Sequence, residues 1–280
     1  MRIESESEAV ERTYIKADEI SNWLSFRELY RYRELLFVLT ARDIKVRYKQ
    51  TALGILWALL QPLANMLLFT AIFGRLAKLP SDGLPYPVFV FAGLLPWAFF
   101  ASSISNSSES IVAAKTLITR VYFPRIIIPL SSVCTALVDF AIASGILLIL
   151  MLFYGVGWTY NLIFAPVLIL TLGFTALGVG TMLAALNVSY RDFRYVVPFG
   201  VQFWMFASPV VYPASMIPDK WQWIYHINPV AGIIGGFRSV FLGSPFDWAA
   251  LTTSIIVSVV IFLGGIVMFE RAERHFADVI

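Results

Sequence analysis

The chain has 280 residues, 59% of them hydrophobic and only 14% charged, with a mean hydropathy of +0.75. Soluble domains run nearer to roughly 45–50% apolar and about 25% charged, so an ordinary water-soluble fold and a large aqueous catalytic domain are both excluded. The single cysteine, Cys134, excludes an intramolecular disulfide and a cysteine-cluster metal site, and the net charge of +3 is small enough that its distribution matters more than its size.

Residues 1–50 hold ten of the Lys/Arg and nine of the Asp/Glu. Residues 1–24 are expected to be a cytoplasmic tail. The longest apolar stretch before residue 50, Leu35–Ala41, is too short for a cleaved signal peptide, so the first membrane helix is expected to act as its own targeting signal. Over 25–50, Phe26, Leu29, Tyr32, Leu36 and Leu39 recur on one helical face, opposite Arg27, Arg31 and Glu34, and Arg42, Lys45, Arg47 and Lys49 follow. This pattern predicts an amphipathic interface helix whose basic end meets anionic headgroups.

From Thr51 onward the chain is a series of uncharged runs. Crossings are predicted over about 51–74, 87–105, 126–154, 161–188, 196–216 and 248–269, and Asp139 in the third is the one charge among them. They are expected to be helices, because the backbone in lipid must satisfy its own hydrogen bonds. Between the fifth and sixth, 217–241 turns polar, then aromatic, then Gly-rich around Gly232, Gly235 and Gly236, and is broken by Arg238. A re-entrant pair of half-helices fits this segment, with a long external loop as the alternative. With the N-terminus inside, seventeen Lys/Arg fall on inner segments and four on outer ones. The expectation is therefore an all-α integral membrane protein with six transmembrane helices and both termini cytoplasmic.

No Gly-x-x-x-x-Gly-Lys-Ser/Thr loop is present, and the two histidines, His226 and His275, have no ligand partner at useful spacing. One intramembrane carboxylate cannot supply a nucleophile, a base and an acid, so an enzyme is not expected. Asp139 is either a coupling group for an ion or a neutral or hydrogen-bonded helix contact. If it does not couple an ion, the energy comes from elsewhere, and an ATPase on a separate chain is the natural source. Trp97, Phe100, Phe203, Trp204 and Tyr212 form a candidate aromatic path, against the alternative of an ordinary interfacial aromatic belt. The inner loop 111–125, with Lys115, Leu117, Arg120, Tyr122, Phe123 and Arg125, is predicted to form a short amphipathic helix ending before Pro124, suited to a groove on a cytoplasmic partner. Tyr190–Arg194 is a compact charged turn.

Several segments, in order, carry a resemblance. They are Arg42-Asp43-Ile44-Lys45-Val46-Arg47-Tyr48, Leu53-Gly54-Ile55-Leu56-Trp57-Ala58 with Gln61-Pro62, Phe91-Ala92-Gly93-Leu94-Leu95-Pro96-Trp97, and Val121-Tyr122-Phe123-Pro124-Arg125. Asn187-Val188-Ser189-Tyr190-Arg191-Asp192, Ser208-Pro209-Val210-Val211-Tyr212-Pro213, Asn228-Pro229 and Gly236-Phe237-Arg238 complete the set. From about residue 25 to the C-terminus the chain resembles the ABC-2 transport permeases, specifically the polysaccharide and polyol-phosphate exporters. The resemblance implies a homodimer in the bacterial inner membrane bound to two nucleotide-binding ATPase subunits. ATP and Mg would sit on that partner, with no cofactor on this chain and no nucleic acid bound. It implies export of a polyprenyl-diphosphate-linked polysaccharide of O-antigen kind, with capsule and teichoic acid as further candidates. It also implies that the interface helix and the 111–125 loop face the ATPase and that 217–241 is an external gate. The competing readings are an ion-coupled flippase of lipid-linked saccharides using Asp139 and, more weakly, a structural membrane scaffold.

Overall fold

The computed structural model describes residues 26–49, 56–157 and 159–279, and its regular elements are helical throughout. The 1–24 tail and the start of the first predicted span lie outside the described residues, as does the side chain of Phe26. In chain order the helices are α1 (Phe26–Arg31), α2 (Arg33–Lys49), α3 (Leu56–Phe69), α4 (Tyr86–Ala113), α5 (Lys115–Ile118), α6 (Ile127–Phe153), α7 (Ala165–Ser189), α8 (Phe193–Ala207), α9 (Gln222–Ile227), α10 (Pro229–Leu242) and α11 (Trp248–Val279). A π-helical stretch, Thr70–Leu76, prolongs α3, and a 3₁₀ turn, Tyr160–Phe164, leads into α7.

Among the described residues, five segments are long and apolar enough to cross a bilayer: Leu59–Leu76, Tyr86–Ala113, Ile127–Phe153, Tyr160–Ser189 and Trp248–Arg274. The chain is a multi-pass membrane protein. The remaining predicted crossing, 196–216, is shorter in the structure, because α8 has 15 residues and stops at Ala207. Proline disfavours helical backbone in the residue before it. Ser208, which precedes Pro209, is extended at φ −108° and ψ 149°. In the opposite direction, α4 runs past the expected Ser105 to Ala113. Within its polar stretch Ser108 and Ser110 turn their hydroxyls back to the carbonyls of Ser105 and Ser107, which satisfies them within the helix.

The predicted 217–241 segment becomes α9 and α10. The Asn228 side chain caps α10 by accepting from the Val230 N–H at 3.1 Å, Pro229 occupies the first turn, and Gly243 ends it at φ 73°. Every residue of α10 except Gly235 is buried. A helix apolar all round belongs inside protein, and α10 packs on α4, α7 and α11.

The main core joins α4, α6, α7 and α10, with Phe91, Phe100, Phe140, Leu172 and Phe237 at its centre. A second core closes the opposite end of the bundle, where Ile111, Ile118, Phe123, Ile127, Val188, Phe269 and Phe276 meet Leu39 of α2. Leu29, Tyr32, Leu35 and Leu36 pack on this second core. The apolar face read from the spacing of α1 and α2 therefore lies against the protein's own bundle, while Tyr30, Phe37, Val38 and Val46 point outward. This end of the structure brings the N-terminal helices and the C-terminal half of α11 together.

The longest seam is α7 on α11. A Cβ on Gly178 would stand 2.6 Å from the Phe262 Cα, and one on Gly265 would run into the Gly178 carbonyl. The Thr175 and Ser258 hydroxyls lie 2.7 Å apart across the same crossing. Small residues at such a crossing allow the close backbone approach that drives helix association in lipid. Gly265→Leu should cost about 1–3 kcal/mol by overpacking, read as a lowered melting temperature in detergent. Gly264→Leu points into open space and should leave it unchanged.

Candidate functional site

A cavity of about 700 Å³ opens between α3, α4 and α6. Ala98, Ser102, Ser105 and Asn106 line it along one face of α4, and Gln61 and Asn65, one turn apart, face it from α3. The Asn106 amide donates to the Ser102 hydroxyl at 3.1 Å. Trp57, Trp97, Phe99 and Phe140 supply aromatic wall. Amide and hydroxyl groups on spanning helices need water or a polar ligand as their neighbour. Aromatic faces beside hydrogen-bonding groups suit a hydroxylated substrate.

Arg47, Tyr48 and Asp139 line the same cavity. The Arg47 guanidinium pairs with one oxygen of Asp139, and the Tyr48 hydroxyl donates to the other. Burial, and then the neighbouring carboxylate, push the Tyr48 phenol up to about 12. The intramembrane carboxylate thus has its partners on α2, some ninety residues away in sequence. The sequence reading took Arg47 as one of several basic anchors beside the first span. The signal available was the expense of an unpaired Asp in a span, which requires a cation at a reachable depth.

Of the candidate aromatic residues, Trp97 lies on the cavity wall. Trp97, Phe100 and Trp204 form a packed seam between α4 and α8, with the Phe100 and Trp204 rings edge-on at 5.1 Å. The Trp204 indole donates to the Asn228 side chain at 3.0 Å. Phe203 is 68% exposed on the outer face of α8, and the Tyr212 hydroxyl donates to the Phe206 carbonyl at 3.2 Å.

Beyond α8 the structure gives a role to a residue that the sequence reading noted only as an interruption and as part of a family motif. Arg238, on α10, is 5% exposed. Its guanidinium donates to the carbonyls of Val210 at 2.7 Å and Tyr212 at 3.3 Å, and sits 3.8 Å from the Phe89 ring centroid. The Tyr86 hydroxyl, at the start of α4, takes the Val211 carbonyl between them at 2.8 Å. Three consecutive carbonyls after α8 are held by α4 and α10, and Gly93 leaves room for this, since a Cβ there would lie 2.7 Å from the Arg238 Nη2.

The loop 111–125 is not one continuous amphipathic helix. α4 ends at Ala113, α5 is a single turn, and a turn at Thr119–Arg120 precedes Pro124. Ile118 and Phe123 are buried in the second core and Leu117 packs against it, whereas Lys115 and Arg120 face outward. Tyr122 is 80% exposed beside the exposed Val121, and Phe123 is 4% exposed. Arg125 is tied to α11, donating to the Glu273 backbone carbonyl and lying 3.8 Å from its carboxylate. In the Tyr190–Arg194 turn, Arg194 approaches Glu109 at 3.6 Å on the surface. His226 lies 3.8 Å from Asp247, and no metal-holding cluster occurs among the described residues.

Residues 34–242 match the family described as ABC-2 type transporter. The O-antigen export system permease protein RfbA of Myxococcus xanthus is 33% identical over 256 residues, covering 90% of this chain and 97% of that protein. RfbA of Klebsiella pneumoniae is 29% identical over 88% of this chain and 95% of its own. The polysialic acid transport protein KpsM of Escherichia coli is 26% identical over 86% of this chain and 93% of its own.

Two substitutions separate structural from exposed positions in the loop. Phe123→Ala should destabilise the protein by about 3–5 kcal/mol, whereas Tyr122→Ala should stay within about 0.5 kcal/mol of the parent, both followed by thermal unfolding in detergent. Arg238→Met, which leaves the Val210 and Tyr212 carbonyls without this donor, should cost about 1–3 kcal/mol in the same measurement.

Proposed function

The chain belongs to the ABC-2 type transporter family, and on that premise we propose that it is the permease subunit of an ATP-driven exporter moving a polyprenyl-diphosphate-linked polysaccharide of O-antigen kind across the bacterial inner membrane. The observation that carries this reading is the end-to-end similarity to permeases named for O-antigen export, with polysialic acid transport at greater distance. The cavity walled by Gln61, Asn65, Ser102, Ser105, Asn106 and aromatic rings supports it. Many weak, exchangeable contacts let a polymer slide where a single tight site would stall it.

Six crossings are supported by the second core. Leu39 of α2 packs with Phe269 and Phe276 of α11, so the first and last helices meet at one end of the bundle. An odd number of crossings would separate them, and α8, about 22 Å long at 1.5 Å per residue, supplies the even one. The Lys/Arg asymmetry makes that end cytoplasmic, and α9 and α10 then form the re-entrant segment on the outer side. α3 and α8 expose Leu60, Leu67 and Leu68 and Phe199, Phe203 and Phe206, faces suited to a second copy of the chain. Hydrolysis takes place on a separate nucleotide-binding subunit, with two copies serving the permease dimer. The exposed Tyr122 and Val121, with Lys115 and Arg120, are the surface that meets it. The ion-coupled alternative is not favoured, since Asp139 is engaged by Arg47 and Tyr48 and the relatives are export-system permeases.

Deleting the gene should strip long polysaccharide from the cell surface and leave the lipid-linked polymer inside. Tyr122→Ala should preserve membrane insertion but lower export several-fold and alter ATP hydrolysis by the co-purified ATPase. Undiminished surface polysaccharide after deletion, measured by gel profile and whole-cell antibody binding, would overturn the exporter reading.

A further inference from the structure

We propose that Arg47 in the groove forms an exchangeable anion site, at which a diphosphate carried on a membrane lipid takes the Arg47 guanidinium from Asp139. The identity of the lipid rests on the exporter reading, while the residues come from the structure. Among the described residues that line the groove, Arg47 and Asp139 are the charged ones. Their side chains are 34% and 24% exposed, so the pair faces the groove and is not sealed in the core. A guanidinium offers five N–H donors in a planar fork suited to two oxygens of a phosphate; here it meets Asp139 through Nη1 and also hydrogen-bonds the Tyr48 side chain.

Asp139 has a double role in this arrangement. A cation facing an empty membrane cavity is costly, and the carboxylate holds Arg47 neutralised until a stronger, more highly charged acceptor arrives. It also competes with that acceptor, which keeps binding loose enough to let a moving substrate leave. Lys45 and Lys49 are exposed on the same helix and make the approach to the site basic. Around the pair the lining includes Gln61, Asn65, Ser102 and Asn106, uncharged and hydrogen-bonding, with Trp57 and Trp97 beside them. That mixture fits a ligand carrying both a diphosphate and hydroxyl groups.

Exchange at Arg47 also has a mechanical consequence. The clasp ties the end of α2 to α6, and α2 packs through Leu39 on the core that holds Ile118 and Phe123. Tyr48 keeps its own hydrogen bond to Asp139 when Arg47 is taken, so exchange weakens this tie without releasing α2.

The test uses the full-length permease with its co-expressed ATPase in phosphatidylcholine nanodiscs, titrated with undecaprenyl diphosphate, undecaprenol and inorganic pyrophosphate. The parent should bind the diphosphate lipid at least about tenfold more tightly than the alcohol, as a charge-assisted hydrogen-bonding contact implies. Arg47→Gln should erase that difference, Arg47→Lys should keep part of it, and Asp139→Asn should tighten binding by about threefold to tenfold. Asp139→Ser serves as a second neutral variant, and melting temperatures in the same discs confirm that each variant folds. Weakening by Asp139→Asn equal to that of Arg47→Gln would mean a purely structural ion pair and overturn the proposal. Equal binding of the lipid diphosphate and the alcohol by the parent would do the same. Inorganic pyrophosphate binding as tightly as the lipid would overturn the lipid as the source of the anion. Failure here alongside loss of surface polysaccharide on gene deletion would leave the exporter reading standing, whereas unchanged surface polysaccharide would remove that reading itself.

Discussion

Ending α8 inside the bundle exposes a run of backbone carbonyls to an apolar surrounding, and the Arg238 guanidinium together with the Tyr86 hydroxyl satisfies them. Leaving buried carbonyls without donors costs about 1–3 kcal/mol, so the turn at Ser208–Tyr212 depends on the donors that reach it from α4 and α10. α10 in turn is placed by its own cap at Asn228, whose side chain also holds the Trp204 indole and the Ser208 hydroxyl. The break in α8, the buried half-helix and the packed aromatic seam are thus one connected arrangement. It leaves the far end of the bundle filled by short helices where a long helix would otherwise continue.

The same rule governs the other end. Asp139 is tolerated in α6 because Arg47 and Tyr48 reach it, and they reach it because Leu29, Tyr32, Leu36 and Leu39 seat α1 and α2 on the second core. The polar wall of the groove lies between these two arrangements. Ser102, Asn106, Gln61 and Asn65 sit on helices otherwise rich in Leu, Phe and Trp, and their side chains face a cavity large enough for water or sugar. The groove thus joins a rigid apolar frame to a hydrogen-bonding wall.

How much of this could be read beforehand varied with the range of the interactions involved. The spans corresponding to α4, α6, α7 and α11 were legible because hydropathy sums over neighbouring residues, and so was the helical face of α1 and α2, which follows from spacing of three and four. The same face was assigned to lipid, since an amphipathic stripe looks alike whether it meets a membrane or a protein core. Lys115, Leu117, Arg120, Tyr122, Phe123 and Arg125 were read together as a partner-facing loop, but adjacent positions on a turn point in opposite directions, so Tyr122 is exposed while Phe123 falls into the core. Arg238 was visible as an interruption in an apolar run and as part of a family motif, but not as the donor that holds the turn after α8.

The sequence by itself determined that this is an all-helical membrane chain, where most of its crossings lie, and which family it resembles, because composition, periodicity and ordered motifs are local properties. The tertiary structure alone decided that Asp139 belongs to Arg47 and Tyr48, that Arg238 holds the turn after α8, and that Gln61, Asn65, Ser102 and Asn106 share one groove. Each of these joins residues many turns apart, and the cost of burying a charge or a carbonyl is met only when the folded helices bring the partner within hydrogen-bonding distance.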